Sequence, residues 1–184
     1  MISKRARESL DQMVTVGIIA CLGGAEAEAC KITLLPNSAE IQESKVVVLT
    51  VASYLFRLFV LIYFSPDEST KTHFASINHI DPAEMTEPEL LDAICECGNI
   101  CCGTLNRELA RVYPHVAMST PNIIERECAN YLESLGAGHL QHFRALAGDG
   151  KLFHFSLCMR NYADIDFEWA PEVDAVSAGE MEFF

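Results

Sequence analysis

Apolar and polar residues alternate along the chain with two different periods, one typical of helices and one typical of strands. Residues 3–30 carry apolar side chains three and four positions apart, which predicts an amphipathic helix that the glycines at positions 23 and 24 can end early. Residues 45–52 and 56–64 are almost continuously apolar and rich in Val, Tyr and Phe. These residue types favour strands, so the two segments predict a buried hairpin that turns near residues 53–54.

Two more helices are predicted after the hairpin. Residues 65–77 predict a helix with Ser65 as its cap and Pro66 at its first helical position. Residues 87–112 predict a longer helix, which begins at a Thr-Glu-Pro-Glu sequence and is ended by Pro114.

Shorter segments complete the pattern and set the fold class. Five of them are predicted to be extended: residues 32–35, 116–118, 122–124, 140–147 and 152–159. The last two are separated by a Gly-Asp-Gly turn and form a second strand pair. We therefore predict one α+β domain over residues 1–163, with a mainly antiparallel sheet packed by long helices. We expect the acidic tail, residues 164–184, to be loosely held.

The net charge and the longest apolar run argue against several classes of partner and against a membrane-spanning segment. The net charge of −13 repels phosphate backbones and anionic lipids, which argues against nucleic acid and membrane surfaces as partners. Residues 46–64 have the length of a transmembrane helix, but Arg57 near their middle costs about 3 kcal/mol on insertion scales. The first helix is followed by acidic residues and not by a convincing cleavage site. We expect a cytoplasmic protein whose eight cysteines are reduced.

The long helix places three polar side chains on one outer ridge. At about 100° per residue, with Asp92 at zero, Glu96 lies at about 40°, Asn99 at about −20° and Gly103 at about 20°. The apolar stripe on the opposite side contains Leu90, Ile94, Cys97, Cys101, Leu105 and Leu109. A glycine inside a helix costs about 1 kcal/mol relative to alanine, so Gly103 indicates that something approaches the helix backbone there.

Four of the eight cysteines lie in this helix. Cys97 and Cys101 fall in the buried stripe, whereas Cys95 and Cys102 fall together on one flank, so the four thiols point in at least two directions. A tetrahedral zinc site requires its ligands to converge. We therefore interpret the cysteines as packing residues and predict no metal site, with a thiol-metal or redox protein as the open alternative.

The spacing of Asp92, Glu96 and Asn99, with Gly103 four residues further on, resembles the signature of the CheC/CheX/FliY family of chemotaxis phosphatases. That signature is Asp or Ser, three residues, Glu, two residues, Asn, and then Gly. The order of elements over residues 5–160 is similar as well, including a strand that leads into Pro121 after the signature helix. One complete signature resembles the CheX-like branch.

A second segment repeats part of the signature spacing. Ile123, Glu127 and Asn130 are spaced like the signature residues, but the leading Asp or Ser is missing. Pro121 indicates extended chain nearby. We interpret this second match as a coincidence.

The resemblance implies an activity and a role for each ridge residue. Family members remove the phosphate from the aspartyl phosphate of a CheY-like receiver domain. By resemblance, Asn99 is the catalytic residue that orients the attacking water, and Glu96 acts with it by docking to the receiver's lysine. Asp92 would support the contact, and Gly103 would let the partner come close. Mg²⁺ is expected on the receiver, with no cofactor of the chain's own, and the chain is expected to form a homodimer.

Other interpretations of the sequence stay open. The same fold could bind a receiver without turnover, as a signalling module. His139 and His142 could contribute two ligands to a zinc site, although such a site needs further ligands. His154 lies in an apolar strand and is interpreted as a core or edge histidine, and His73 has no obvious partner in the sequence.

Overall fold

A computed structural model describes residues 1–22 and 30–171 of the chain. Within them, α-helices pack on one face of a seven-stranded antiparallel sheet, which confirms the predicted α+β class. The helices are α1 (Lys4–Leu22), α2 (Glu68–Ile77) and α3 (Glu87–Val112). The strands are β1 (Lys31–Leu35), β2 (Lys45–Ala52), β3 (Phe56–Phe64), β4 (Ala117–Met118), β5 (Asn122–Glu125), β6 (His139–Leu146) and β7 (Leu152–Asn161). A 3-10 segment, Arg126–Leu135, joins β5 to β6.

The sheet is built around the hairpin that the apolar pattern predicted. The strand order is β1-β6-β7-β3-β2, and β4 and β5 both pair with the outer edge of β2. In the hairpin, the Ser53 amide donates to the Phe56 carbonyl across 3.0 Å. The apolar run that has the length of a transmembrane helix is therefore two central strands. None of the helices in the described part of the chain is long and apolar enough to cross a membrane.

Side chains alternate between two faces of the sheet. Along β3, Phe56, Leu58 and Val60 pack toward the helices in the main core. Leu61 lies on the other face, in a smaller apolar cluster that Leu132 of the 3-10 segment helps to cover. The helices are thus packed on one face of the sheet, and one side of α3 lies against β2.

The backbones of α1 and α3 approach each other closely at Gly17. A Cβ atom built on Gly17 would lie 2.9 Å from the carbonyl oxygen of Cys101, which is closer than real Cβ atoms come. Backbone atoms cannot yield as the end of a flexible side chain can. Gly17 therefore allows the backbone of α1 to pack directly against the buried side of α3.

The start of α2 differs from the prediction. The helix begins at Glu68, and its N-cap is Asp67, not Ser65. The Asp67 carboxylate accepts from the Thr70 amide at 2.8 Å, whereas the Ser65 hydroxyl accepts from the Ser44 amide at 3.2 Å. The prediction was wrong because Ser65 and Asp67 are both good capping residues, and only the fold decides which of them meets the helix.

We expect Asp67→Ala to destabilise the protein in a pH-dependent way. Partial burial acts to raise the pKa of Asp67, but hydrogen bonds from Thr70 and Ser69, with Lys151 nearby, outweigh it and lower the pKa from 3.8 to about 2. A lowered pKa stabilises the fold above the ordinary pKa, and this stabilisation is lost as the pH falls through the folded value. The free energy of unfolding should therefore fall by about 1 kcal/mol at pH 7.

The measurement is urea unfolding of both proteins from pH 7 to pH 2. The difference between them should persist down to about pH 4 and shrink toward pH 2. Ser65→Ala is the matched control, since Ser65 does not cap α2. A difference between Asp67→Ala and the wild type that does not change with pH would contradict the assignment.

The beginning of the acidic tail is packed against the domain. Ile165 forms a β-bridge with Ile2, and Phe167 is buried in the main core. Asp166 pairs with Arg5, and the Trp169 indole N–H donates to Glu108 on α3 at 3.1 Å. The expectation of a loose attachment is therefore wrong for residues 164–171. Residues 172–184, like the two glycines after α1, lie outside the described residues.

Candidate functional site

The helix α3, which carries the candidate site, begins and ends where the sequence predicts. At its start, the Glu89 carboxylate accepts hydrogen bonds from both the amide and the hydroxyl of Thr86, each at 2.7 Å. These bonds hold the pKa of Glu89 below its usual value. At its end, Tyr113 has an extended conformation and Pro114 follows. The bounds follow from local chemistry: a capped start and a proline stop.

One side of α3 is fixed against the sheet, which determines what the other side presents. All six residues of the predicted apolar stripe are buried. Gly98 is buried among them, and a Cβ built on it would lie 2.6 Å from Leu49 Cδ1 of β2. At Gly98, α3 thus lies directly against the side chains of β2. The ridge of Asp92, Glu96 and Asn99 is consequently held on the side away from the sheet.

Glu96 and Asn99 are hydrogen-bonded to each other on this ridge. Asp92 and Glu96 are exposed and Asn99 is partly exposed. The Asn99 Nδ2 group donates to Glu96 Oε2 across 3.0 Å. The amide oxygen, Oδ1, can accept a hydrogen bond from an incoming molecule, and the second N–H of Nδ2 can donate one. The hydrogen bond between these two side chains, one turn apart, thus fixes the orientation of the Asn99 amide.

An acidic groove lies beside the ridge, between the N-terminal half of α3 and the α2–α3 connection. Its volume is about 310 Å³, and Glu89, Asp92 and Glu96 line one wall. Ile80 and Met85 contribute apolar surface to the groove. A cationic side chain with an aliphatic stem, such as lysine, has the chemistry to fit a groove with carboxylates above an apolar floor.

Gly103 lies one turn beyond Asn99, with open space beside it. A Cβ built on Gly103 would have no heavy atom within 4 Å, apart from its chain neighbours and the backbone of its own helix. The close approach that we expected at this glycine is therefore not made by another described part of this chain. The missing side chain leaves the helix backbone open to a partner molecule.

We expect Gly103→Ala to separate stability from partner binding. Alanine is favoured over glycine inside a helix by about 1 kcal/mol, and the new methyl group meets no neighbour, so the free energy of unfolding should rise. If a partner lies against the backbone here, its affinity should fall. Chemical unfolding and a binding titration measure the two effects. Gly98→Ala is the matched contrast: its methyl group would lie 2.6 Å from Leu49 Cδ1, and Leu49 is fully buried, so it can move only by displacing core neighbours and stability should fall.

The cysteines of α3 belong to the core. Cys97 and Cys101 are buried, and both lie close to Cys21 of α1, where burial and the neighbouring thiols raise the pKa of Cys21. Cys102 is also fully buried, and burial raises its pKa, whereas Cys95 is only partly buried. Cys95 and Cys102, which the helical periodicity places together on one flank, therefore differ in burial. No group of three or more possible metal ligands is found among residues 1–22 and 30–171.

The two histidines considered for zinc lie on opposite faces of the sheet. His139 Nε2 lies 2.7 Å from Asp11 Oδ1 of α1, on the helical face. His142 Nδ1 lies 2.6 Å from the Ser156 hydroxyl, which in turn donates to Tyr63 on the other face. Residues three apart in a strand point in opposite directions, so this pair cannot bind one ion.

Two other histidines have carboxylate partners that the sequence did not reveal. His73 Nδ1 lies 2.8 Å from Asp149 Oδ2, which corrects the expectation that it had no obvious partner. His154 is buried in β7, as expected, and its Nδ1 lies 2.6 Å from Glu43 Oε1. The paired residues are 76 and 111 positions apart, and no local sequence pattern connects residues so distant.

The second match to the signature spacing has a different local structure. Ile123 lies in β5, whereas Glu127 and Asn130 lie in the 3-10 segment. Glu127 and Asn130 lie one 3-10 turn apart, but Ile123 lies in a strand, so the three positions do not share one helical face as Asp92, Glu96 and Asn99 do in α3. The extended chain expected near Pro121 is confirmed by β5, and the interpretation of this match as a coincidence stays a prediction.

Comparisons with known proteins identify the class to which the fold belongs. No model of a known protein family matches the chain, and no curated protein matches it significantly. Solved structures do match. A chain in the crystal structure of the CheX-CheY-BeF3-Mg²⁺ complex from Borrelia burgdorferi superposes with a TM-score of 0.62 at 15% identity, covering 84% of this chain and 97% of that one.

Two further structures give the same fold. The chemotaxis protein CheX from Vibrio vulnificus matches with a TM-score of 0.57 at 14% identity, over 80% of this chain and 97% of its own. FliY from Thermotoga maritima matches with a TM-score of 0.52 at 11% identity, over 85% and 90%. The chain therefore has the CheC/CheX/FliY fold, which confirms the resemblance in fold that its sequence suggested.

Proposed function

We propose that this protein is a phosphatase that removes the phosphate from the aspartyl phosphate of a CheY-like receiver domain. The observation that carries the proposal is the hydrogen-bonded pair of Glu96 and Asn99, held on an outward-facing ridge of α3. The fold supports it, because similar structures are chemotaxis proteins and one of them comes from a complex with CheY. Fold alone does not define an activity, so the ridge chemistry carries the argument.

The chemistry requires one oriented water molecule. Water attacks the phosphorus in line with the bond to the aspartyl oxygen; that bond breaks, leaving the receiver's aspartate as a carboxylate and releasing inorganic phosphate. Phosphoryl transfer of this kind depends mainly on positioning and on charge stabilisation. In the proposed mechanism, Asn99 Oδ1 accepts a hydrogen bond from the water and places it on the line of attack. The hydrogen bond to Glu96 would hold the amide so that Oδ1 faces the water.

The carboxylates of the ridge would dock the receiver. Glu96 would bind the receiver's lysine through a charge-assisted hydrogen bond, and Asp92 would add negative charge to the same groove. Gly103 would let the receiver approach the helix backbone. Mg²⁺ would be supplied by the receiver, where it neutralises charge on the phosphoryl oxygens, and this chain would need no cofactor of its own.

Two parts of the proposal concern assembly and location. The strand β1 forms an edge of the sheet, and its Leu34 is 53% exposed, which supports pairing of two copies as a homodimer. The location stays a prediction: the proposed substrate is a cytoplasmic signalling domain, so we expect the protein to be there as well.

The test is a phosphate-release assay. CheY-like receiver domains of the same organism would be phosphorylated with acetyl phosphate, freed of the donor, and followed with and without the protein in the presence of Mg²⁺. We expect at least one receiver to lose its phosphate many times faster when the protein is present. Binding of phosphorylated receivers without faster loss would instead identify a non-catalytic binding module. No effect on any receiver, and no binding, would contradict both functions.

A further inference from the structure

The charge of the side chains along the ridge side of α3 changes from negative to positive beyond Gly103. Its N-terminal half presents Glu89, Asp92 and Glu96, and its C-terminal half presents Arg107 and Arg111. By helical periodicity, Arg107 lies at about 60° from Asp92, on the same side as Glu96 at about 40°. Arg107 and Glu96 therefore project from the same side of α3, and the Arg107 guanidinium reaches from there toward Glu108 and Trp169.

A buried carboxylate positions the arginines. The Glu108 side chain is 8% exposed, and its Oε1 accepts from Arg107 Nε at 3.0 Å. Its Oε2 accepts from Arg111 Nη1 at 3.0 Å and from the Trp169 indole at 3.1 Å. These bonds, together with the neighbouring charges, outweigh the effect of burial and hold the pKa of Glu108 below its usual value. The Arg107 side chain is anchored at Nε and is still 63% exposed.

The charges are separated along the axis of α3 by a distance that one domain can cover. At 1.5 Å per residue, Arg107 lies about 12 Å beyond Asn99 and about 16 Å beyond Glu96 along the helix axis. Ile100, which is 40% exposed, lies between them. An apolar centre flanked by charged groups is the usual composition of a protein interface. A domain of about 100 residues has a radius of gyration of about 13 Å, so a receiver domain that covers Asn99 can also reach Arg107.

We propose that Arg107 is a positioning residue that binds an acidic side chain on the surface of the receiver and so fixes the direction in which the receiver lies along α3. This inference rests on the proposed function and deepens it. With a cation of the receiver at Glu96 and an anion at Arg107, the reversed orientation would bring like charges together at both ends. Electrostatic complementarity of this kind sets orientation and association rate more than it sets chemistry.

The test compares charge reversal at Arg107 with charge reversal elsewhere. Arg107→Glu and the neutral variant Arg107→Gln would be assayed with a receiver phosphorylated by acetyl phosphate, with KM and kcat measured separately. Arg57→Glu is the matched control: it changes the net charge equally, but Arg57 is exposed on the sheet face away from the helices. Thermal unfolding of each variant verifies that the fold survives, and Arg107→Gln avoids placing a second acid beside Glu108.

We expect Arg107→Glu to raise KM about tenfold and Arg107→Gln about threefold, with kcat nearly unchanged and Arg57→Glu like the wild type. Changing one acidic residue of the receiver to lysine should restore the KM of Arg107→Glu. If the wild type is active and neither Arg107 variant changes KM, this inference fails while the proposed function stands. If the wild type accelerates no receiver's phosphate loss, both fail.

Discussion

Asn99→Ala should reduce the acceleration of receiver dephosphorylation by about 10²–10³-fold, the usual cost of removing one catalytic hydrogen-bonding group. The side chain is partly exposed on α3 and bonds only to the neighbouring Glu96 among the described residues, so its removal leaves the core intact. Alanine is also a better helix former than asparagine. Affinity for the phosphorylated receiver should change little, because the proposed role of the amide lies in orienting water. Phosphate release at saturating receiver measures this effect.

The protein supplies its own control for this variant. Asn130 follows Glu127 with the same spacing that relates Asn99 to Glu96, but it is exposed on a 3-10 segment. Asn130→Ala should therefore retain full activity. An Asn99→Ala protein that is folded by circular dichroism and fully active would refute the catalytic assignment.

Substitutions at Glu96 should separate the contribution of its charge to receiver docking from the contribution of its hydrogen bond to the orientation of water. Glu96→Gln loses the charge that would bind the receiver's lysine but keeps an oxygen that can accept from Asn99 Nδ2. KM should therefore rise tenfold or more, which corresponds to about 1.4 kcal/mol or more of binding free energy, with a small change in kcat. Glu96→Ala removes both interactions, so kcat should fall in addition to the rise in KM. Initial rates over a range of receiver concentrations separate the two parameters.

The control for Glu96 is another acidic residue of α3. Glu87→Gln removes one negative charge from an exposed position at the first turn, outside the groove. Its KM should match that of the wild type. An equal rise in KM for Glu87→Gln and Glu96→Gln would mean that general charge, and not a specific contact, attracts the receiver.

Local patterns predicted the elements well where local chemistry decides them. The bounds of α3 follow from a capping residue and a proline stop, and the hairpin of β2 and β3 follows from apolar runs that surround a short turn. The predicted start of α2 was wrong because two capping residues, Ser65 and Asp67, lie within three positions of each other. The packing of residues 164–171 was missed because Phe167 and Trp169 lie in an acidic segment, and their contacts are with distant residues of α1 and α3.

In the candidate site, too, local patterns predicted the positions of residues along the helix but not their contacts. Helical periodicity alone placed Asp92, Glu96 and Asn99 on one outer ridge, and the structure has them there. Their roles rest on resemblance and stay predictions. The hydrogen bond between Glu96 and Asn99 and the anchoring of Arg107 by Glu108 were not foreseen. Continuing the same angular count past Gly103 would have placed Arg107 near Glu96, but nothing local would have indicated Trp169 beside it.

The packing of Trp169 against α3 has a practical consequence. It is the single tryptophan of the chain, and its indole is bonded to the carboxylate that also holds Arg107. Indole emission shifts with the polarity and the hydrogen bonding around the ring, so a molecule that settles on the C-terminal half of α3 would alter the intrinsic fluorescence of the protein. The wild-type chain thus has a built-in optical reporter at that position, and association can be followed without attaching a dye.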